Sequence, residues 1–166
     1  KDELVLQRDG MCTVFVSQTW LRRSHPDTEL NVKLTLLQSF LQDARAGKKD
    51  VRPSLLSEIF WGGRLKIPAK KLRKIQYVWL DVFSIPQVDA ARQGEAIASI
   101  PAYVERAAFF VCVAGAWKHE SGALRDVRAW CARGWCRMEL LCNLLSPEAK
   151  PLIVLQSPSD VRSHGP

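Results

Sequence analysis

Cys12-Thr13-Val14-Phe15-Val16-Ser17 is short, β-branched and aromatic, and it follows the turn dipeptide Asp9-Gly10. Side chains of this kind suit a pleated, buried surface, so the stretch reads as the first strand of a sheet. Three more stretches share its character: Tyr77-Val78-Trp79-Leu80-Asp81, Phe109-Phe110-Val111-Cys112-Val113-Ala114 and Leu152-Ile153-Val154-Leu155. They are apolar at nearly every position, as strands covered on both faces are. Helical patterns separate them. Leu30, Leu34, Leu37 and Leu41, widened by Val32, Leu36 and Phe40, mark one inward face, with Pro26 opening the segment and Gly47 ending it. A helix from about Gly94 to Arg106 turns Ile97, Ile100, Val104 and Ala108 inward. Pro101 removes a backbone donor there, which predicts a kink or two abutting helices. A further helix, Trp135 to Leu145, turns Met138, Leu141, Cys142 and Leu145 inward. Alternating strands and helices imply an α/β fold, a parallel sheet with helices on both sides.

The 166 residues fit one domain. The chain is read as a single domain over 1–166, truncated at its C-terminal end, with residues 43–76 as a basic insert between strands one and two. The net charge of +7 is local: Asp43 to Lys74 holds ten basic and three acidic residues, and the remainder carries fourteen of each sign. The pI therefore says nothing of global nucleic-acid affinity. Within the insert, Pro53 can open a short helix carrying Leu55, Leu56, Ile59, Phe60 and Trp61, which Gly62-Gly63 ends. The insert reads either as a solvated, partly flexible basic surface or as an accessory site for an anionic partner at Lys70, Lys71, Arg73 and Lys74.

Cys12, Cys112, Cys131, Cys136 and Cys142 are odd in number and contain no C-x-x-C pair. That argues against a disulfide framework or a structural zinc site and for a reducing, cytoplasmic setting. Lys1-Asp2-Glu3-Leu4 matches a retention tetrapeptide that is read only at a C-terminus. His25, His119 and His164 have no metal-ligand spacing, so no metal is assigned. No G-x-x-x-x-G-K-[ST] and no G-x-G-x-x-G occurs, which excludes the common phosphate-loop and dinucleotide fingerprints. No apolar run approaches the ~20 residues of a membrane span.

In parallel α/β sheets ligands bind beyond the C-terminal strand ends. Strand one delivers Ser17, Gln18 and Trp20 there; strand two delivers Asp81 and Ser84; strand three delivers Gly115 and Trp117. Glu139 lies one turn inside the last helix and shares a face with Trp135, four residues earlier. It is either a surface carboxylate paired with Arg133 or Arg137, or a carboxylate tuned by a half-buried face beside an indole. Asp81 either caps the amides of Val82 to Ser84 or touches substrate. Trp20, Trp117 and Trp135 are expected at one rim, where aromatics could stack a nucleobase.

Three motifs resemble the Toll/interleukin-receptor (TIR) domain superfamily. Thr13-Val14-Phe15-Val16-Ser17 is similar to its "D-V-F-(V/I)-S" strand, Arg133-Gly134-Trp135-Cys136-Arg137-Met138-Glu139-Leu140 to its "S-x-W-C-x-x-E-L" helix start, and Ser157-Pro158-Ser159-Asp160-Val161-Arg162 to the "D-P-S-D-V-R" loop of plant members. Val78 to Gln87 and Ile100 to Val113 resemble the fungal heterokaryon-incompatibility (HET) domain, which also carries a long insert between its first two strands. The resemblance implies a flavodoxin-like fold of strand order 2-1-3-4-5, of which four strands are visible here. It implies an NAD+ glycohydrolase of a defence or cell-death signalling protein, activated by self-association as a homo-oligomer. NAD+ would be substrate, with no tightly bound cofactor. Glu139 would be catalytic, and Ser17, Gln18, Trp20, Asp81, Ser84 and Trp135 would line the NAD+ pocket. A non-catalytic homotypic interaction module and a nuclease or cyclic-nucleotide synthetase are the other activities the resemblance allows. Pro86 and Gln87 depart from the usual TIR sequence in the loop after strand two, which gates the pocket and makes partner contacts in that family.

Overall fold

The structure is a computed structural model that describes residues 5–6, 8–48 and 50–165, apart from the side chains of 61–63. The Lys1–Leu4 tetrapeptide lies outside the described residues. The chain runs β1 (Thr13–Gln18), α1 (Val32–Ala46), β2 (Arg52–Pro53), α2 (Leu55–Trp61), a 3-10 turn (Gly62–Leu65), α3 (Ala69–Leu72) and β3 (Tyr77–Leu80). It continues through α4 (Asp81–Ser84), α5 (Ala90–Ala98), α6 (Ile100–Arg106), β4 (Phe109–Val113), β5 (Trp117–Lys118) and β6 (Leu124–Arg125). It closes with α7 (Val127–Ala132), α8 (Gly134–Leu145), β7 (Leu152–Ser157) and β8 (Asp160–His164).

The fold is α/β, with a mostly parallel sheet of six strands in the order β2-β8-β7-β4-β1-β3 and helices on its faces. The four strands read from the sequence form its parallel core, β7-β4-β1-β3, an arrangement consistent with a flavodoxin-like fold. The side-chain alternation of β1 divides the interior into two layers. Val14 and Val16 join Leu36, Leu37 and Phe40 of α1 on one face. Phe15 faces the other way, with Ile100, Val104, Trp130 and Cys136 of α6, α7 and α8. Register places Phe15 beside Trp79 and Phe110 on the neighbouring strands, and the three rings stack at 4.2 Å and 5.5 Å. Burying aromatics on three neighbouring strands, β4, β1 and β3, makes this layer a main source of stability.

Several expectations are corrected. β3 is an edge strand, and Val78 is 41% exposed instead of covered. α1 begins at Val32, not near Pro26. Asp27 turns back to accept the N–H groups of Lys33 and Leu34, so its carboxylate does the capping. The inward face of α1 is Lys33, Leu36, Leu37, Phe40 and Ala44; Leu30 is exposed. In α8 the buried residues are Cys136, Glu139 and Asn143, while Leu141 and Leu145 face out. Both helices are rotated because a buried polar residue finds a partner. Asn143, for example, donates to the Lys150 carbonyl and accepts its N–H. Ala107, not Ala108, is buried after α6. Pro101 does divide α5 from α6. The stretch Asp160–His164, which is not among the four strands expected, is also strand: β8 folds back antiparallel on β7 and takes β2 on its outer edge.

The basic segment is not a loose loop. Val51, Ile67 and Leu72 enter the α1-side core, Val51 bridges Ile67, and Ser163 Oγ donates to the Leu65 carbonyl at 2.8 Å. Its described basic side chains are exposed.

Candidate functional site

The C-terminal ends of β1 and β3 meet the start of α8. Ser17 follows Phe15 by two residues, so it lies on the same sheet face and points toward α8. Glu139, in the second turn of α8, meets it: Ser17 Oγ donates to Glu139 Oε2 at 2.5 Å. Trp130 of α7 completes the chain, its indole N–H donating to Ser17 Oγ at 2.8 Å. An indole nitrogen only donates. It therefore fills a lone pair of the serine oxygen and leaves the hydroxyl proton to point at the carboxyl. All three residues are buried, Glu139 at 8% exposure.

Burial is the main influence on Glu139 and raises its pKa; the Ser17 hydrogen bond opposes it, the Asp81 charge adds to it, and Arg133 opposes it. The result is a carboxyl pushed up to about 7, divided between its protonated and ionised forms near neutrality. Of the two readings of Glu139, the surface carboxylate is set aside by this burial.

Asp81 begins α4. Its Oδ1 accepts from Gln18 Nε2 at 3.0 Å and from the Val82 N–H at 2.9 Å, and its Oδ2 accepts from Trp20 Nε1 at 2.6 Å. The carboxylate thus ties the end of β1 to the end of β3. Ser84 is turned away from this cluster and accepts the Leu80 N–H; it serves the turn and does not line the cavity beside Glu139.

That cavity, about 280 Å³, is bounded by Gln18, Trp20, Asp81, Arg133, Trp135 and Glu139, with Ile85 and Gln87 of the segment after β3 along its mouth. Trp135 is 53% exposed, an indole at the rim. Trp117 is elsewhere: it packs with the α1-side core, against Gly115. Sequence reading thus joins Trp20 with Trp135 correctly and misplaces Trp117.

Two residues were missed, Trp130 and Lys33, and a third, Arg133, was read only as a partner of Glu139 and not as lining the cavity. Trp130 contacts Ser17 across 113 positions of sequence, and no local spacing announces that. Arg133 adjoins the first turn of α8, which has neither a side-chain cap nor an acidic residue. Its position before Gly134-Trp135 was a usable signal, since an arginine beside an open helix N-terminus favours anions. Lys33 is 3% exposed, donates to the Thr19 carbonyl and lies 6.0 Å from the centre of the Trp117 ring. Burial brings its ammonium down to about 8, against the pull of Asp27 and Asp81. It borders a second, mostly apolar cavity of about 140 Å³, with Gln18 on the shared wall.

No group of three or more metal-ligating side chains occurs among the described residues. No described helix is long and apolar enough to cross a membrane. No family model, no curated protein and no solved structure matches this chain.

Proposed function

We propose that the chain is a TIR/HET-like NAD+ glycohydrolase, cleaving the bond between nicotinamide and ribose with Glu139 as the catalytic residue. The observation that carries this reading is the buried Trp130–Ser17–Glu139 chain opening on a cavity at the C-terminal strand ends. Departure of nicotinamide leaves positive charge on the ribose ring oxygen and anomeric carbon. A carboxylate in a dry site stabilises that charge far better than water-exposed groups do. The cavity is slightly smaller than the ~300–1,000 Å³ of most ligand pockets, so it suits the nicotinamide-ribose end, with the remainder of the dinucleotide along the mouth. Trp135 and Trp20 offer faces to flat rings, and Arg133 with the α8 N-terminus favours the pyrophosphate. Ser17 orients the carboxyl; Asp81 and Gln18 brace the strand ends.

The working form of Glu139 is the ionised one, so cleavage rises with pH through about 7, the value to which burial moves the carboxyl. Phe83 and Val88 are exposed on the segment after β3, at 64% and fully, and this supports self-association beside the pocket. A non-catalytic interaction module is favoured by one observation: both oxygens of Asp81 are already engaged within the protein. Incubating concentrated, clustered protein with NAD+ and measuring free nicotinamide separates the two. Release that is lost in Glu139→Ala supports the enzyme; no release from the wild type supports the module.

A further inference from the structure

Helix α2 is patterned inside out. At ~100° per residue, Leu55, Ile59, Leu56 and Phe60 follow one another around an arc of about 140°. They are 75%, 68%, 68% and 74% exposed. Ser57, on the opposite side, is 4% exposed and accepts a hydrogen bond from Ser54 Oγ at 2.9 Å. A helix that meets only water buries its apolar stripe and exposes its serine. The reverse arrangement marks a surface made for an apolar environment.

What surrounds the helix indicates which environment. Arg52 of β2 lies three residues before it and Arg64 of the 3-10 turn three residues after it; both are exposed, on elements that pack against α2. Arg45, Lys70, Lys71, Arg73 and Lys74 are exposed on the same segment. Of its three acids, Asp43 and Asp50 are paired with Lys48 and Lys66, and Glu58 lies on α2 itself. A second copy seated here would bring a +7 segment against another. Nucleic acid would find basic residues, but three of the four apolar side chains of the arc are aliphatic and Phe60 alone among them offers a base a stacking face. An anionic lipid surface satisfies both features: acyl chains receive the apolar arc and headgroups receive the basic rim.

We propose that α2 and its basic surroundings form a docking face for an anionic membrane surface. Leu55, Leu56, Ile59 and Phe60 enter the interface, and Arg52 and Arg64 face the headgroups. At seven residues the helix is ~10 Å long, so it lies in the interface and does not cross. The pocket beside Glu139 takes no part.

Flotation of the 166-residue chain with vesicles tests this. One set is phosphatidylcholine alone; the other contains about one-third phosphatidylserine, enough for a negative surface potential. The expected result is binding to the anionic vesicles at least tenfold tighter than to the neutral ones, weakening as salt rises. Arg52→Ala with Arg64→Ala should weaken it about 25-fold, from roughly fivefold per charge. Leu55→Glu with Ile59→Glu should abolish it with the far-UV circular dichroism unchanged; Leu56→Ser with Phe60→Ser serves if that pair misfolds. Equal binding to both vesicles, or binding to neither, overturns the proposal. So does a dimer, or a complex with an acidic protein, that the same substitutions dissolve while vesicle binding is absent.

Discussion

Replacing Glu139 by Gln should stabilise the protein, and by an amount that depends on pH. Gln keeps an oxygen for the Ser17 hydroxyl but cannot ionise. In the wild type, burial raises the carboxyl from 4.5 to about 7. The native state therefore binds this proton more tightly than the unfolded state does. Below the unfolded value both states hold it, and nothing is lost. As pH rises from about 4.5 to 7 the unfolded chain releases the proton and the native protein does not, so stability falls. Above about 7 the full penalty of an ionised, buried carboxylate is present. At 1.36 kcal/mol per unit, a 2.5-unit displacement comes to about 3 kcal/mol. Glu139→Gln should thus exceed the wild type by about 3 kcal/mol at pH 8 and by under about 1 kcal/mol at pH 5. Urea unfolding of both proteins across that range, followed by tryptophan fluorescence, measures the difference. Other titrating groups, Lys33 included, are common to both proteins and cancel. A difference that stays constant from pH 5 to 8 would refute the reasoning, because it would mean the carboxyl titrates alike in the two states.

The neighbouring groups give further expectations. Ser17→Ala leaves the buried Trp130 N–H without its acceptor, at a cost of about 1–3 kcal/mol. It also removes the bond that holds the Glu139 pKa down, so the carboxyl should titrate higher by carbon-13 NMR; a downward move would contradict the geometry. Lys33→Met removes a buried ammonium whose pKa is depressed to about 8. The wild type carries that penalty below pH 8 and sheds it toward pH 10.5, so the variant should be more stable at neutrality by about 2 kcal/mol, after loss of the bond to the Thr19 carbonyl. Chemical denaturation at pH 7 and pH 10 checks that this gap closes as pH rises. Gly115→Ala would put a methyl 2.6 Å from the Trp117 ring and 2.8 Å from the Gln156 carbonyl oxygen. The crowding should cost about 1–3 kcal/mol, visible as a lowered melting temperature; a wild-type value would contradict the close approach of Trp117 and the Gln156 carbonyl to this position.

The sheet was legible where burial acts through apolar runs. Strands one, three and four announce themselves because both their faces are covered. β8 was hidden because its sequence, Asp160-Val161-Arg162-Ser163-His164, is mostly polar, and its pairings with β7 and with the two residues of β2 make it a strand. The phases of α1 and α8 were misjudged for one physical reason. Periodicity assumes that polar residues face water, whereas Lys33, Glu139 and Asn143 are inside with partners on other elements. The candidate site was legible in part by the rule that strand ends deliver ligand groups, which brought Ser17, Gln18, Asp81 and Glu139 together. Trp130 escaped because its role is set by packing α7 across the sheet face. α2 escaped differently: its residues were read correctly as a helix, but nothing in a pattern tells which side faces the protein.

The central claim is that Glu139 performs chemistry. Glu139→Gln is the variant that isolates it, since it should fold at least as well as the wild type while lacking the charge. The direct measurement is nicotinamide release from NAD+ by the two proteins, concentrated and clustered, at neutral pH. A carboxylate aimed at developing positive charge should contribute at least ~100-fold, so the wild type should release nicotinamide and Glu139→Gln should fall by that factor or more. Equal release by both, or none from the wild type, would contradict the account.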